Sequence, residues 1–219
     1  MAEYVVEFGK DGGRREPDGR LDAPAFHRNQ EAICGVLAPF LAGKSGDALE
    51  VGSGTGQHIV EFARQFPEIM WWPSDLNEQH LASIEAWRMH SGLPNIQMPL
   101  RIDLSNPSWS ADMRGKGGPG QLLAMFCANV IHIAPWAVAE GLVAGAGHYL
   151  VAGGMLLLYG PFKRGGADVG DDDLGARHGQ PHRRLTAEAA SAAGDQGDLA
   201  VKVTERIRHL VPLITGRVR

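Results

Sequence analysis

A glycine-rich turn between a short apolar strand and a helix constrains this chain more than any other feature. Residues 48–51 read Ala-Leu-Glu-Val, and residues 50–56 have the spacing Glu-x-Gly-x-Gly-x-Gly. A helix is predicted to open at about Gln57, because apolar residues recur there at helical spacing. Glycine lets a backbone turn tightly and approach a ligand closely, so this strand–loop–helix indicates a nucleotide-type binding site.

Strand and helix patterns alternate five times around this turn. Such alternation predicts an α/β fold with a mostly parallel sheet and helices on both faces. Ligands of such sheets bind at the carboxyl ends of the strands. The predicted strands are residues 48–51, 69–75, 96–102, 121–130 and 155–159, and the predicted helices are 24–42, 57–66, 77–90 and 136–151.

The composition pattern divides the chain into three parts. Residues 1–22 are polar and are expected to form a flexible arm or lid, with a short strand at 4–8. Residues 23–166 form the ligand-binding core. Residues 167–219 are an atypical segment with a loop and one helix through 186–193. Two stretches in it, 199–203 and 210–214, are candidates for closing strands.

Charge and cysteine usage exclude several classes of protein. The 219-residue chain has a net charge of −4, which disfavours a broad nucleic-acid footprint. Cys34 and Cys127 lie in apolar stretches and are interpreted as buried, reduced thiols. The sequence contains neither a secretory signal pattern nor an apolar run long enough to span a membrane, so we expect a cytoplasmic protein. No metal site is expected, since His178 and His182 stand among Gly, Arg and Pro.

The glycine spacing favours one cofactor over another. Dinucleotide folds require G-x-G-x-x-G, and Gln57 occupies the position of the third glycine. The observed spacing suits S-adenosylmethionine, which has no pyrophosphate, with the loop residues Gly52, Ser53, Gly54 and Gly56 around it. Glu50 can meet the ammonium of that ligand directly or through water. A purely structural glycine turn is the remaining alternative.

Acidic residues close the second and third predicted strands. Asp75 can accept hydrogen bonds from both ribose hydroxyls, or it caps the following helix. Asp103 can bind the exocyclic amine of adenine while the amide of Leu104 meets a ring nitrogen. The alternative for Asp103 is a turn before Asn106 and Pro107.

Several strings of residues resemble one known family. They are Pro-Ala-Phe-His-Arg-Asn at 24–29, Leu-Glu-Val-Gly-Ser-Gly-Thr-Gly-Gln-His at 49–58, Trp-Pro-Ser-Asp at 72–75, Ser-Ile-Glu-Ala-Trp at 83–87, Asn-Val-Ile-His-Ile-Ala-Pro-Trp at 129–136, and Tyr-Gly-Pro-Phe at 159–162. The chain resembles the methyltransferase-like 26 family, also called DUF938, over roughly residues 22–166. The resemblance implies a Rossmann-like class I methyltransferase fold with a seven-stranded sheet, but it implies no substrate. Residues 167–219 depart from the family pattern.

Under this resemblance, the segment after the fourth strand would face the methyl group. His132 is the candidate general base, and its alternative is a buried histidine bonded to backbone. Asn129 can bond the acceptor or the cofactor. Tyr159 can act as a donor or base, or simply pack in the core. Arg28 and Asn29 lie on the first helix, where Arg28 can bind a carboxylate as a fork or form a surface salt bridge.

The leading hypothesis is a methyltransferase that uses S-adenosylmethionine on a small-molecule acceptor. A nucleic-acid acceptor is disfavoured because Asn-Val-Ile-His at 129–132 is not the Asn-Pro-Pro-Tyr type of motif. The competing hypotheses are a non-catalytic S-adenosylmethionine-binding module and a NAD-dependent oxidoreductase. The acceptor and the oligomeric state are not predicted by the sequence.

Overall fold

The structure, a computed structural model, describes residues 13–109, 113, 115 and 117–160. Beyond these it describes the backbone of strand residues 161, 163–164, 167–168, 188–191 and 198–203. The predicted strands at 4–8 and 210–214 and the histidines at 178 and 182 lie outside the described residues.

The described elements follow the predicted alternation of strands and helices. In chain order they are β1 (Arg14–Arg15), β2 (Leu21–Asp22), α1 (Pro24–Leu41), β3 (Gly46–Val51), α2 (Gln57–Gln65), β4 (Ile69–Asp75), α3 (Glu78–Ser91), β5 (Leu100–Arg101), β6 (Leu122–Ala128), α4 (Trp136–Tyr149), β7 (Leu150–Pro161), β8 (Lys163–Arg164), β9 (Ala167–Asp168), β10 (Glu188–Ser191) and β11 (Asp198–Val203).

Seven strands form the main sheet in the order β10-β11-β7-β6-β3-β4-β5. The five strands from β7 to β5 are parallel to their neighbours, and β11 runs antiparallel to β7 and to β10. The prediction of an α/β fold with a mostly parallel sheet is therefore confirmed. The strand expected at 199–203 is β11, which pairs along the far side of β7.

The core lies on both faces of the sheet, because successive side chains of a strand point to opposite faces. On one face, Phe126 and Leu157 pack with α1 and α2 through buried residues such as Ile33 and Phe62. On the other, Met125 and Leu156 pack with residues of α4. Strands covered on both sides read as continuous apolar runs, which is how β6 appears in the sequence.

Three predicted elements differ from the structure. The strand expected at 96–102 is reduced to β5 and an isolated bridge between Trp71 and Ile96. Pro99 lies between the bridge and β5, and proline has no N–H to give to a ladder. The strand expected at 155–159 is extended to Leu150–Pro161, and α4 ends at Tyr149.

The third difference concerns the helix expected through 186–193, which is strand β10 instead. Its Glu-Ala-Ala-Ser sequence favours a helix by intrinsic propensity, but pairing with β11 overrides that preference. Propensity is a weak local effect compared with a ladder of hydrogen bonds along a sheet edge.

The described end of the N-terminal arm is structured. Strands β1 and β2 pair with each other, and Leu21 is fully buried. The amide of Leu21 donates to Ser83 Oγ at 2.8 Å, and its carbonyl accepts from Trp87 Nε1 at 2.9 Å. The guanidinium of Arg20 lies 4.5 Å from the centre of the Trp87 ring. Residues 20 and 21 of the predicted arm therefore contact α3.

Candidate functional site

The carboxyl ends of three neighbouring strands bring the predicted site residues together. Val51, the last residue of β3, pairs with Ser74 on one side and with Cys127 on the other. The glycine loop at 52–56, Asp75 and Asn129 consequently meet at one edge of the sheet. This is the edge at which ligands of open α/β sheets bind.

Two glycines of the loop have no room for a side chain. A Cβ at Gly52 would lie 2.5 Å from Val130 Cγ2, and one at Gly56 would lie 2.8 Å from the Cα of Ile84. Both residues also have a positive φ, of 67° and 89°, which L side chains rarely adopt. The loop is therefore clamped between the segment after β6 and helix α3, and Gly56 caps α2.

The Glu50 carboxyl lies directly behind this loop and is 2% exposed. Burial raises the pKa of Glu50 to about 8, the Ser53 hydrogen bond lowers it, and the negative charge of Asp75 raises it. Among the described residues, Glu50 Oε2 has no hydrogen-bond partner. A buried carboxyl oxygen without a donor is costly, and a cationic ligand group would satisfy it.

Asp75 joins β4 to the glycine loop. Its Oδ2 accepts from the amide of Gly54 at 2.9 Å, and its Oδ1 accepts from the amide of Asn77 at 2.9 Å. His80 Nδ1 lies 3.3 Å from Oδ2. The alternative of a helix cap is not observed, because α3 is capped by Asn77, which accepts from Gln79 N. A carboxylate has about four acceptor sites, so these contacts leave capacity for a ligand hydroxyl.

Two buried serines hold the loop to the sheet. The amide of Ser53 donates to the carbonyl of Ser74 at 2.8 Å, and its hydroxyl accepts from the Ser74 amide at 3.1 Å. The Ser74 hydroxyl donates to the carbonyl of Glu50 at 2.8 Å. This double bridge fixes the backbone of the loop relative to both strands.

Asp103 forms the turn that was its alternative interpretation. Its Oδ1 accepts from the amide of Ser105 at 2.9 Å and from the Ser105 hydroxyl at 2.6 Å. Leu104 is 6% exposed, and its carbonyl lies where a Cβ of Gly141 would be. The side chain of Leu104 is thus a core residue, and only its backbone remains a candidate for base recognition.

The segment after β6 begins with a strained residue. Asn129 has a φ of 55°, the only positive value among the described non-glycine residues. Its amide donates to the carbonyl of Tyr159 at 2.8 Å, which ties this segment to β7. Such conformations cluster at functional sites because the surrounding structure must enforce them. His132 follows in an exposed turn, which overturns its interpretation as a buried histidine.

The remaining predicted residues divide between core and surface. Tyr159 is 3% exposed and belongs to the cluster that packs against α1 and α2, as its packing alternative required. Arg28 is exposed on α1. Asn29 is 3% exposed, and its Oδ1 lies 2.9 Å from Nε2 of His58. Asn29 therefore contacts the second helix.

Sequence reasoning missed the structural part played by Gln57. This side chain is 4% exposed; its Oε1 accepts from the Ala23 amide at 2.7 Å and from the Thr55 hydroxyl at 2.9 Å, and its Nε2 donates to Asp22 at 2.7 Å. Gln57 thereby joins the N-terminal ribbon, formed by strands β1 and β2, to the glycine loop. The signal was present in the sequence, as a long polar side chain where dinucleotide folds have glycine.

Leu76 was also missed. It follows Asp75 directly, at the carboxyl end of β4, and its side chain is 45% exposed. Leu76 therefore places exposed apolar surface beside Asp75 at the edge of the sheet where the glycine loop lies.

Neither a metal-binding cluster nor a membrane-spanning helix is found in the described part of the chain. It contains no group of three or more His, Cys, Asp or Glu side chains arranged to hold a metal ion. None of its helices combines the length and the apolar character needed to cross a bilayer.

Known proteins match this chain in sequence and in structure. A family model described as "Protein of unknown function (DUF938)" matches residues 20–175. The fold is similar to that of the S-adenosylmethionine-dependent methyltransferase SibL, with a TM-score of 0.53 at 18% identity, covering 82% of this chain and 57% of that one. It is also similar to an O-methyltransferase family protein from Burkholderia thailandensis, with a TM-score of 0.55 at 14% identity, covering 83% and 57%.

These two structures establish the fold and no more, because their identity to this chain is low. The chain spans a little over half the length of each, at 57%. The predicted Rossmann-like methyltransferase fold is confirmed by them.

Proposed function

The chain belongs to the DUF938 family, and from the geometry of its site we propose that it binds S-adenosylmethionine and transfers the methyl group to a small-molecule acceptor. The observation that carries the proposal is the Glu50 carboxyl, buried behind the glycine loop with Oε2 lacking a partner among the described residues. The ammonium group of the cofactor supplies the missing cationic donor. We also propose that the chain is related to the methyltransferase-like 26 proteins, which its sequence resembles.

The remaining groups of the site fit the other parts of the same cofactor. Asp75 has acceptor capacity for the ribose hydroxyls beyond its bonds to Gly54 and Asn77. The exposed side chain of Leu76 offers apolar surface to the adenine ring, and the Asp103–Leu104 turn offers polar groups at its edge. When bound, the cofactor supplies a methyl group activated by a sulfonium.

A NAD-dependent oxidoreductase is a poorer fit. A pyrophosphate loop needs its third glycine for close packing beside the helix, and here that position is Gln57. The Gln57 side chain is buried and bonded to Asp22, Ala23 and Thr55. The hydrogen bonds at this position therefore require a long polar side chain rather than glycine.

The chemistry of this chain's own residues is chiefly positioning, because methyl transfer requires an acceptor lone pair held in line with the methyl group. Asn129, fixed by its bond to the Tyr159 carbonyl, can orient an acceptor at the strand ends. The exposed imidazole of His132 can take a proton from the acceptor. Tyr159 contributes its backbone carbonyl, while its side chain packs in the core.

A small-molecule acceptor is favoured by charge. The net charge of −4 provides little attraction for a polyanion. His132 is the only ionisable side chain between Asn129 and Val138, a stretch that includes the exposed Trp136. This stretch suits an acceptor of modest size and low charge.

Calorimetry with S-adenosylmethionine, S-adenosylhomocysteine and NAD tests the cofactor assignment. We expect micromolar binding of the first two and no heat from NAD. Binding of NAD alone would support the oxidoreductase, and silence from all three ligands would overturn the proposal.

A non-catalytic S-adenosylmethionine-binding module is the second candidate, because the core position of Tyr159 removes one of the two predicted catalytic side chains. Methyl transfer from labelled cofactor into a small-molecule extract separates the two functions. The methyltransferase proposal expects incorporation that falls in a His132→Ala variant with unchanged cofactor affinity. Binding without incorporation would favour the module.

A further inference from the structure

Two carboxyl groups lie close together behind the glycine loop. Glu50 is the fifth residue of β3, and Asp75 ends the adjacent parallel strand β4, two residues beyond the partner of Glu50 in the ladder. Glu50 is 2% exposed and Asp75 is 9% exposed. Two carboxylates in such surroundings repel each other, and neither is well solvated.

The two groups are unequally provided with hydrogen-bond donors. Asp75 accepts from two backbone amides and lies near His80. Glu50 Oε2 has no partner within the described residues. The hydrogen-bond donors are therefore gathered at Asp75, and Glu50 is the carboxyl that lacks them.

The ionisable groups of the surrounding elements also favour a protonated Glu50. On β6, burial together with the charges of Glu50 and Asp75 raises the pKa of Cys127 to about 12, so the thiol stays neutral. On α2, His58 lies beside Phe126, the ladder partner of Glu50, and burial lowers the pKa of His58 to about 4. Helix α3 contributes His80, which is directed at Asp75. Burial and Asp75 together raise the pKa of Glu50 to about 8.

We propose that Glu50 carries a proton in the ligand-free protein and releases it when the ammonium of the cofactor arrives, so that cofactor binding is coupled to the release of one proton. The inference rests on the proposed cofactor. The O–H bond of Glu50 breaks, the proton passes to solvent, and the carboxylate pairs with the ligand ammonium. No oxidant or further reactant is needed.

The coupling has a measurable consequence for affinity. A binding reaction that releases one proton tightens about tenfold for each unit of pH, as long as the free group is protonated and the bound group is not. Between about pH 6 and pH 7, Glu50 is protonated in the free protein, and a ligand α-amino group is still largely charged. His58 is neutral in both states over this range.

Isothermal titration calorimetry of S-adenosylmethionine in phosphate and in imidazole buffers tests this coupling. At pH 6.5, we expect about one proton released per ligand bound, and an affinity about tenfold tighter at pH 7 than at pH 6. Glu50→Gln should abolish both effects, whereas Glu31→Gln, at an exposed position on α1, should keep them. Binding with no proton release overturns this inference alone, and absence of binding overturns the proposed function as well.

A second experiment, on the ligand-free protein, tests the protonation of Glu50 directly. It does not depend on how tightly the Glu50→Gln variant binds the cofactor. Carboxyl ¹³C spectra of glutamate-labelled protein should contain one resonance that titrates near pH 8 and disappears in Glu50→Gln. If every glutamate resonance titrates below about pH 5, close to the ordinary value, Glu50 is ionised in the free protein and the inference is wrong.

Discussion

The carboxylate of Asp75 accepts the amide hydrogen of Gly54 at 2.9 Å, across the gap between two neighbouring strands. One residue therefore holds the glycine loop in place and presents its remaining acceptor sites at the strand ends. The conformation of the glycine loop and the recognition of a ligand therefore depend on the same side chain, and a substitution of Asp75 changes both.

Asp75→Asn should weaken the binding of S-adenosylmethionine by about tenfold to a hundredfold, because charge-assisted hydrogen bonds are lost. The single amide oxygen of asparagine can still accept from Gly54 but not also from Asn77, so thermal unfolding should be measured alongside affinity to separate loop stability from ligand recognition. Asp47→Asn is the matched control, since Asp47 accepts from Trp72 Nε1 near the opposite end of the same strand pair. Calorimetry measures both variants. Equal affinities for wild type and Asp75→Asn would contradict the ribose assignment.

The packing of Gly52 against Val130 makes a separate prediction about stability. Gly52→Ala introduces a methyl group 2.5 Å from Val130 Cγ2, and Val130→Ala in the same chain removes that atom. We expect the single variant to lose about 2–4 kcal/mol and the pair to be less destabilised than the sum of the two changes. Urea unfolding of the three variants gives the coupling.

Gly54→Ala is the control for this effect. Gly54 also has a positive φ, of 56°, but an added Cβ would meet nothing within 4 Å. Its cost should therefore be confined to backbone conformation, about 1 kcal/mol. If Gly52→Ala and Gly54→Ala cost the same, the contact with Val130 does not constrain the loop.

Burial of Glu50 should lower the stability of the ligand-free protein at alkaline pH. The pKa of Glu50 is raised in the folded protein, so the unfolded chain loses its proton first as pH rises from about 4.5 to about 8. Glu50→Gln should therefore raise the melting temperature at pH 8 and have little effect near pH 4. Glu31→Gln, at an exposed position on α1, should change neither value. A Glu50→Gln effect independent of pH would contradict the raised pKa.

The sequence predicted best those elements whose pattern is local. The second strand, Ile69–Asp75, has the predicted bounds because its apolar run ends on an acid and an Asn-capped helix follows. The glycine loop was predicted from its spacing between a strand and a helix, and the structure shows a close contact and a positive φ at Gly52 and Gly56. The convergence of the loop with Asp75 and Asn129 follows from parallel strand ends.

What could not be predicted depends on contacts between distant residues. Strand β10 forms because β11 pairs with it, and nothing within Glu188–Ser191 signals that partner. The exposure of His132 and the burial of Tyr159 depend on how the segment after β6 crosses the sheet edge. The docking of residues 14–22 depends on Ser83 and Trp87, more than 60 residues away.

The junction through Gln57 predicts a change in protease sensitivity. Gln57→Ala removes the bonds to Asp22 and Ala23 that join the N-terminal ribbon to the loop. We expect trypsin to cleave after residues 14, 15 and 20 several-fold faster than in wild type, because local opening becomes easier. Gln65→Ala, in the same helix and bonded to the nearby Glu61, should leave the rate unchanged. Unaltered cleavage in Gln57→Ala would mean that Leu21 alone secures the ribbon.

The burial of His58 predicts how the protein responds to acid. Its ring stacks on Phe62 and packs edge-on against Phe26, and burial lowers its pKa to about 4. The unfolded chain therefore takes up a proton before the folded protein does, and stability falls as pH drops from about 6.5 to about 4, by about 3 kcal/mol. His58→Gln should flatten this dependence while keeping a polar partner for Asn29, whereas the exposed His90→Gln should not. Urea unfolding at several pH values measures it, and an unchanged slope in His58→Gln would show that another group drives the acid sensitivity.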